Sequence, residues 1–154
     1  MAATLLLALA VISTGLYAGF MLIFQTGIMP ALAELSDEQF VAAMRRINEE
    51  VPRAVFLVVF LAIIVFPAAA LAVPVEGRSD TQMCLVLAGL VCAALNHLIT
   101  VAGNIPLNSA LASSEGAPDP EVREAFEAKW NRFHAARTVL IIASFVLLVW
   151  AALV

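Results

Sequence analysis

The sequence predicts an all-α fold, an integral membrane four-helix bundle with short amphipathic helices at the membrane interface in its first and third loops. Of the 154 residues, 63% are hydrophobic and 13% are charged, whereas a soluble domain is about 45–50% apolar and about 25% charged. No Asp, Glu, Lys or Arg occurs in 1–33, 54–75, 81–114 or 138–154. This composition excludes a disordered chain, a nucleic-acid-binding domain and a disulfide scaffold, and it predicts that the protein lies in a lipid bilayer.

Each uncharged block can supply one membrane span, because a helix needs about 20 apolar residues to cross the hydrocarbon. We expect spans near 4–29, 54–74, 82–104 and 138–154, all within a single domain, 1–154. The first span reaches about 39 Å at 1.5 Å per residue, so it is tilted or protrudes. Its apolar run is longer than that of a signal peptide and has no basic residues before it, so we expect a retained span.

The first loop opens at Pro30 and contains a helix-start signal. Ser36 and Gln39 have the spacing of a capping box, which predicts an amphipathic helix directly after Ser36. Its apolar side carries Phe40, Val41, Met44 and Ile47. Pro52 marks the point at which the next helix can begin.

The second loop, 75–81, is short enough to be a tight turn. In the third loop, a cluster of helix-breaking residues over 113–118 precedes Asp119, which we predict to be an N-cap with Pro120 at the first helical position. The helix that starts there carries regularly spaced apolar residues and is expected to run directly into the fourth span.

The distribution of basic residues predicts the orientation in the membrane. The first and third loops hold Arg45, Arg46, Arg53, Arg123, Lys129, Arg132 and Arg137, whereas the opposite side holds Arg78. The positive-inside rule then places these two loops in the cytoplasm of a bacterial cell and both termini outside. Gly15 and Gly19 form a GxxxG motif that allows close helix packing. The packing can be inside the bundle or between subunits, so a homo-oligomer is one of the alternatives.

The polar residues within the apolar blocks are concentrated toward one membrane side. They are Gln25, Thr26, Asn48, Asn96, His97, Thr100, Asn104, Asn108, Asn131, His134 and Arg137. The spacings 97, 100, 104, 108 and 130, 134, 137 each define one helix face, although Pro106 distorts or ends its helix. Polar groups at membrane depth must be paired or hydrated, so we expect the two faces to line a shared cavity, closed by the helix of the first loop.

Each of these residues also has a purely structural interpretation. The amides of Asn104 and Asn108 can satisfy backbone groups freed by Pro106, and His97 can bond a neighbouring helix. His134 can be solvated at the interface, Arg137 can be a snorkelling anchor, and Trp130 and Tyr17 fit an aromatic belt or a core.

A metal site would rest on His97 and His134 alone, where three or four ligands are usual, and no carboxylate in the spans completes a facial triad. Cys84 and Cys92 lie about 12 Å apart along one predicted helix, too far for a disulfide. GxGxxG, Walker A and GxSxG motifs are absent from the sequence. We therefore predict no metal and no organic cofactor.

At these residues the sequence resembles the anthrone oxygenase-like family of small four-span membrane proteins, formerly a domain of unknown function. The matching segments, in order, are Gly19-Phe20, Pro30-Ala31-Leu32, Met44-Arg45-Arg46-Ile47-Asn48, Gly103-Asn104-Ile105-Pro106-Leu107-Asn108 and Trp130-Asn131-Arg132-Phe133-His134-Ala135-Ala136-Arg137. The resemblance implies oxidation of a polyketide anthrone to an anthraquinone by dioxygen, without an added organic cofactor. The motif positions that carry over are Asn48, Asn104, Asn108, Trp130, Asn131, His134 and Arg137, with His97 just upstream.

These residues suggest a mechanism in which an anthrone loses a proton and its enolate reacts with dioxygen. His134 or His97 is the candidate base, and Arg137 with Asn104 or Asn108 would stabilise the oxyanion. Trp130 would stack on the flat substrate. Asn48, Asn131 and Gln25 complete the predicted substrate-binding set.

A non-enzymatic function is the alternative. The bundle would then bind a lipid or apolar metabolite, or serve as a subunit of a larger membrane complex. A binding protein would tolerate the loss of either histidine, and a scaffold would need no pocket. Transport would require alternating access, for which four short spans leave little room unless the chain oligomerises.

Overall fold

The computed structural model describes residues 2–75 and 77–154. Met1 and Glu76, which belong to the predicted domain and to its second loop, lie outside the described residues. Within these ranges the chain forms five helices. They are α1 (Ala2–Ala33), α2 (Asp37–Glu50), α3 (Ala54–Ala72), α4 (Asp80–Ala112) and α5 (Asp119–Leu153). Four of them, α1, α3, α4 and α5, are long and apolar enough to cross a membrane, which confirms the all-α, four-span fold of an integral membrane protein.

The four long helices close into a ring, because α1 packs against α3 and α5, and α4 packs against α5 and α3. The core between them is apolar at its middle, where Tyr17, Ile63 and Ile141 are fully buried. A second cluster lies toward the termini around Ala10 and Leu148. The exposed apolar side chains of the same helices form the outer surface that faces lipid.

The helix of the first loop, α2, begins with the predicted capping box. The backbone N–H of Gln39 donates to the Ser36 hydroxyl and the backbone N–H of Ser36 donates to the Gln39 side chain, both at 3.3 Å. Phe40 and Met44 are fully buried against the first half of α5 and the end of α4. The next helix begins at Ala54 with Arg53 as its N-cap, two residues later than the position of Pro52 suggested.

The loops are shorter than the sequence suggested because Pro30 and Pro106 do not end their helices. A π-helical turn precedes each proline, over Phe24–Ile28 in α1 and Thr100–Asn104 in α4. A proline has no N–H for the carbonyl four residues earlier and its ring clashes with that carbonyl. The wider π turn makes i→i+5 bonds and lets the helix continue past the proline.

The start of α5 differs by one residue from the prediction that Asp119 is its N-cap. Pro118 holds that position with an extended backbone, φ −60° and ψ 127°, and Asp119 is the first helical residue. Pro120 then falls within the first turn, where backbone N–H groups have no intrahelical partner and a missing donor costs nothing. The helix continues without a break into the fourth span, as predicted.

Three arginines bind the free carbonyl groups at the ends of helices. Arg123 donates to the carbonyls of Ala33 and Leu35 at 3.0 and 2.9 Å. The other two arginines, their carbonyl partners and one hydroxyl partner are Arg45 with Leu111 and Ser114, and Arg78 with Ala70, Leu71 and Val73. These bonds satisfy the carbonyls that every helix leaves unpaired in its last turn.

In the GxxxG motif, Gly15 lies at a close helix contact inside the bundle and Gly19 does not. A Cβ added to Gly15 would lie 3.0 Å from the ring of Phe145 in α5, so this glycine allows α1 and α5 to approach closely. A Cβ added to Gly19 would meet nothing within 4 Å.

Candidate functional site

A cavity of about 600 Å³ lies between α1, the end of α2, α3, α4 and α5. Its polar or hydrogen-bonding lining comes mostly from α4 and α5, namely Asn48, Glu50, Arg53, Thr100, Asn104, Asn108, Trp130, His134 and Arg137. Its aromatic lining comes from α1 and α3, namely Phe20, Phe24, Phe56 and Phe60. The volume falls within the range of about 300–1,000 Å³ typical of small-molecule sites.

The inward face of α4 differs by one residue from the predicted one. The buried polar residues are Asn96, Thr100 and Asn104, spaced by four, so the first residue of the face is Asn96 and not His97. Asn96 is fully buried and its amide donates to the carbonyl oxygen of Arg137 at 3.0 Å. Asn96, like His97, has a spacing to Thr100 that fits one helix face, and packing against α5 decides between the two.

His97 therefore lies outside the cavity lining, contrary to the expected stripe of residues 97, 100, 104 and 108. Its ring stacks on Phe60 with centroids 3.8 Å apart, and its Nδ1 lies 3.1 Å from the carbonyl oxygen of Ala93. The Nε2 atom is buried without a hydrogen-bond partner. Phe60, which lines the cavity, separates this imidazole from it.

His134 and Arg137 form the polar centre of the cavity. The Nε2 atom of His134 lies 3.0 Å from the carbonyl oxygen of Met21, and its Nδ1 atom lies 2.9 Å from Nη2 of Arg137. A carbonyl oxygen only accepts, so Nε2 donates and Nδ1 accepts from the guanidinium. The imidazole is therefore neutral in this arrangement. Trp130 stacks on it with ring centroids 4.8 Å apart and an angle of 11° between the planes.

Arg137 is a buried cation without an acidic partner among the described residues. The side chain is 5% exposed. Its Nη1 donates to the Thr100 hydroxyl at 3.2 Å and its Nε has no partner. Burying a guanidinium without a counter-ion is costly, so an anionic or strongly polar oxygen entering the cavity would bind favourably beside it.

The asparagines of α4 connect the cavity wall to α5. Asn108 accepts a bond of 2.9 Å from the indole N–H of Trp130, and the Asn104 amide donates to the Trp130 carbonyl at 3.3 Å. The Asn104 side-chain oxygen and the Asn48 amide nitrogen are buried without partners. The Asn104 oxygen is therefore available to accept a hydrogen bond from a ligand, and the Asn48 nitrogen is available to donate one.

The structure brings six of the nine predicted site residues into the cavity and leaves three outside it. The six are Asn48, Asn104, Asn108, Trp130, His134 and Arg137; the three are His97, Gln25 and Asn131. Gln25 lies in the π turn of α1 directly after Phe24, and Asn131 lies directly after Trp130 on a neighbouring face of α5. The phenylalanines were not predicted, although the spacing of Phe20 and Phe24 by four is that of one helix face.

The structure groups few potential metal ligands. Among residues 2–75 and 77–154, no three His, Cys, Asp or Glu side chains lie close enough together to hold a metal ion.

Tyr17, considered for an aromatic belt or a core, is fully buried and packs on Phe56 and Phe60 at 5.7 and 5.8 Å between centroids. It belongs to the core.

Comparison with known proteins identifies a family. Neither the curated proteins nor the solved structures include a match to this chain. A family model described as anthrone oxygenase matches residues 40–147, more than two thirds of the chain. The match runs from α2 to the second half of α5 and includes all six predicted site residues that line the cavity. The chain belongs to the anthrone oxygenase family.

Proposed function

We propose that this protein is a membrane-embedded oxygenase that converts a flat, apolar aromatic of the polyketide anthrone type into a quinone with dioxygen. The observation that carries the proposal is Arg137, a buried guanidinium without a carboxylate partner among the described residues, in a cavity lined by aromatic rings. An enolate oxygen held by a flat hydrophobic skeleton matches both features.

Arg137 stabilises the enolate oxygen and Trp130 with the phenylalanines holds the ring system. An anthrone carries its acidic hydrogen on a carbon conjugated with the carbonyl, so a cation at that oxygen favours loss of the proton. Dioxygen accepts the electron pair of the carbanion and a carbon–oxygen bond forms, giving a hydroperoxide after protonation. Loss of water then leaves a carbonyl, so one substrate and one dioxygen yield one quinone and one water.

His134 is the proposed base, and its bonds define the condition for this role. Its Nδ1 lone pair is occupied by Arg137 at 2.9 Å, so it becomes available only when the guanidinium turns to the substrate oxygen. The Nε2–H stays on the Met21 carbonyl and supports the imidazolium that forms. The imidazolium returns its proton to the peroxide. No organic cofactor or metal takes part in this scheme.

The proposed location is the bacterial cytoplasmic membrane, with the cavity toward the cytoplasm. Arg137 lies inside the bundle and does not count toward orientation. The remaining basic residues on the cavity side are Arg45, Arg46, Arg53, Arg123, Lys129 and Arg132, against Arg78 on the other side. The positive-inside rule supports cytoplasmic first and third loops and external termini.

The alternative is a protein that binds such an aromatic without converting it. The observation in its favour is that both ring nitrogens of His134 are already bonded within the protein. A binding protein would use Arg137 for an acidic phenol and would need no free base.

Oxygen uptake by the purified protein in lipid vesicles, with dihydroxyanthrone as substrate, separates the two functions. Turnover above the spontaneous oxidation in empty vesicles is expected, with one quinone formed per dioxygen consumed. Arg137→Gln should lower the rate by about 100-fold, the size seen when an oxyanion donor is removed. Arg132→Gln is the matched control, since Arg132 is exposed on the same helix. Binding without turnover would favour the non-enzymatic function.

A further inference from the structure

The cavity is open on the side of the bundle that faces lipid. Four large hydrophobic lining residues are also exposed, namely Ile23, Val55, Leu57 and Ile105. Val55 is 74% exposed and Ile105 is 48% exposed. All four belong to helices that cross the membrane, where exposed apolar side chains contact acyl chains.

The α2–α3 connection lines the aqueous end of the same cavity. This connection, residues 50–53, contributes four lining residues. Glu50 is paired with Arg46 at 3.0 Å and also with Arg53, which ties the end of α2 to the start of α3. A ligand that came from water would pass the ion-paired side chains of Glu50 and Arg53, whereas a ligand in the lipid meets apolar side chains.

The depth of the opening follows from the position of α3. Val55 lies in the first turn of the helix, directly after the exposed Arg53. Arginine at a helix end extends its guanidinium to the headgroups, so the opening lies at the boundary between headgroups and acyl chains. Flat aromatics with a polar edge concentrate at this depth, as tryptophan and tyrosine side chains do.

We propose that the substrate enters sideways from the bilayer, through a portal between Val55 in the first turn of α3 and Ile105, which directly follows the π turn of α4. The ligand class follows from this route. It is an aromatic that partitions into lipid, places its acidic oxygen at Arg137, and tolerates an apolar chain that stays in the bilayer. The inference rests on the proposed aromatic-binding function. It adds the entry route of the ligand and the tolerance of an apolar chain on it.

The test uses Trp130 as a reporter inside the cavity. In a protein with Cys84→Ala, Cys92→Ala and Trp150→Phe, Trp130 is the remaining tryptophan. Quenching of its fluorescence in lipid vesicles then reports occupancy. The two probes are a hydroxyanthraquinone carrying an octadecyl chain, which stays in lipid, and anthraquinone sulfonate, which stays in water. We expect quenching by the first probe and little by the second.

A matched pair of cysteine variants on α3 tests the portal itself. Val55→Cys and Val58→Cys are both exposed sites, at 74% and 66%, and only Val55 lines the cavity. After modification with benzyl methanethiosulfonate, the Val55→Cys protein should bind the lipid-anchored probe about tenfold more slowly and the Val58→Cys protein at an unchanged rate, since blocked access lowers the association rate.

The outcomes distinguish the route from the proposed function. Quenching by the sulfonate, or equal rates for the two modified proteins, would overturn the lateral portal and leave the aromatic-binding function intact. No quenching by either probe at saturation would overturn the aromatic-binding function and the portal with it. Fast binding of the anchored probe that is slowed only in the modified Val55→Cys protein supports the proposal.

Discussion

The Nη2 atom of Arg137 lies 2.9 Å from Nδ1 of His134, one turn earlier on the same helix. While this hydrogen bond is formed, the Nη2 donor of Arg137 and the Nδ1 lone pair of His134 are both occupied and unavailable to a substrate. In the proposed reaction, the enolate oxygen takes the guanidinium donor and the imidazole gains a free lone pair at the same moment. Substrate binding would therefore create the base.

This relationship predicts different effects for the two histidines. His134→Ala should abolish turnover of dihydroxyanthrone while the protein stays folded, because the base is lost and α5 keeps its other core contacts. His97→Ala should keep turnover within about threefold, because its imidazole lies behind Phe60 and outside the cavity lining. Oxygen uptake measures the rates, and circular dichroism with size-exclusion chromatography checks the fold. Unchanged turnover in His134→Ala would remove it as the base.

Gly89 is buried at a position where the bundle has no room for a methyl group. A Cβ at Gly89 would lie 3.0 Å from Leu148 and 3.4 Å from the Ser144 carbonyl oxygen, so Gly89→Ala should destabilise the protein by about 1–3 kcal/mol through overpacking. Gly19→Ala is the matched control with open space around its Cβ. Thermal unfolding in detergent compares the two. Equal midpoints for both variants would show that α4 and α5 can separate without cost.

Arg123 of α5, which binds the carbonyls at the end of α1, predicts a stability effect far from the cavity. Arg123 donates to two backbone carbonyls of the α1–α2 turn and pairs with Asp37 at 3.0 Å and with Glu127 at 2.7 Å. Arg123→Gln should cost about 1.5–3 kcal/mol, typical of hydrogen bonds to charged groups. Arg46→Gln loses its pairs with Glu49 and Glu50, in which the arginine side chain is itself 72% exposed, and should cost less than about 1 kcal/mol.

Hydrogen exchange at the amides of residues 33–40 locates the effect of Arg123. Faster exchange there in Arg123→Gln, with little change in Arg46→Gln, is the expected result, because the free carbonyls of the turn lose their partner. Exchange that speeds up equally across the whole chain would contradict a local role.

Composition and spacing were sufficient to predict much of this structure. The four uncharged blocks predicted the spans, since charge is excluded from the hydrocarbon. The capping box at Ser36 predicted where α2 begins, because it is a local device that depends on few residues. The spacing of Trp130, His134 and Arg137 predicted one face of an uninterrupted α-helix, and all three line the cavity.

The errors lie where the helices depart from α geometry or where packing decides. A spacing of three and four assigned His97 to the inward face of α4, yet Asn96 is the residue that bonds to α5. Periodicity cannot separate two adjacent residues near a π turn. The turns at Phe24–Ile28 and Thr100–Asn104 do have a shared signal, a glycine three residues before a proline, at Gly27 and Gly103.

Each π turn holds one residue more than the α-helix around it would need, and this has a consequence for reading related sequences. Deleting one residue from 101–103 would restore regular α geometry, and the residues beyond it would keep their side of the helix, because the π turn absorbs the extra residue. Asn108 would then stay beside the indole of Trp130, whereas the sequence spacing between Asn96 and Asn104 would shorten by one residue. A one-residue gap in an alignment at this turn is therefore compatible with an unchanged cavity lining, and motif spacing alone does not define the chemistry of a relative.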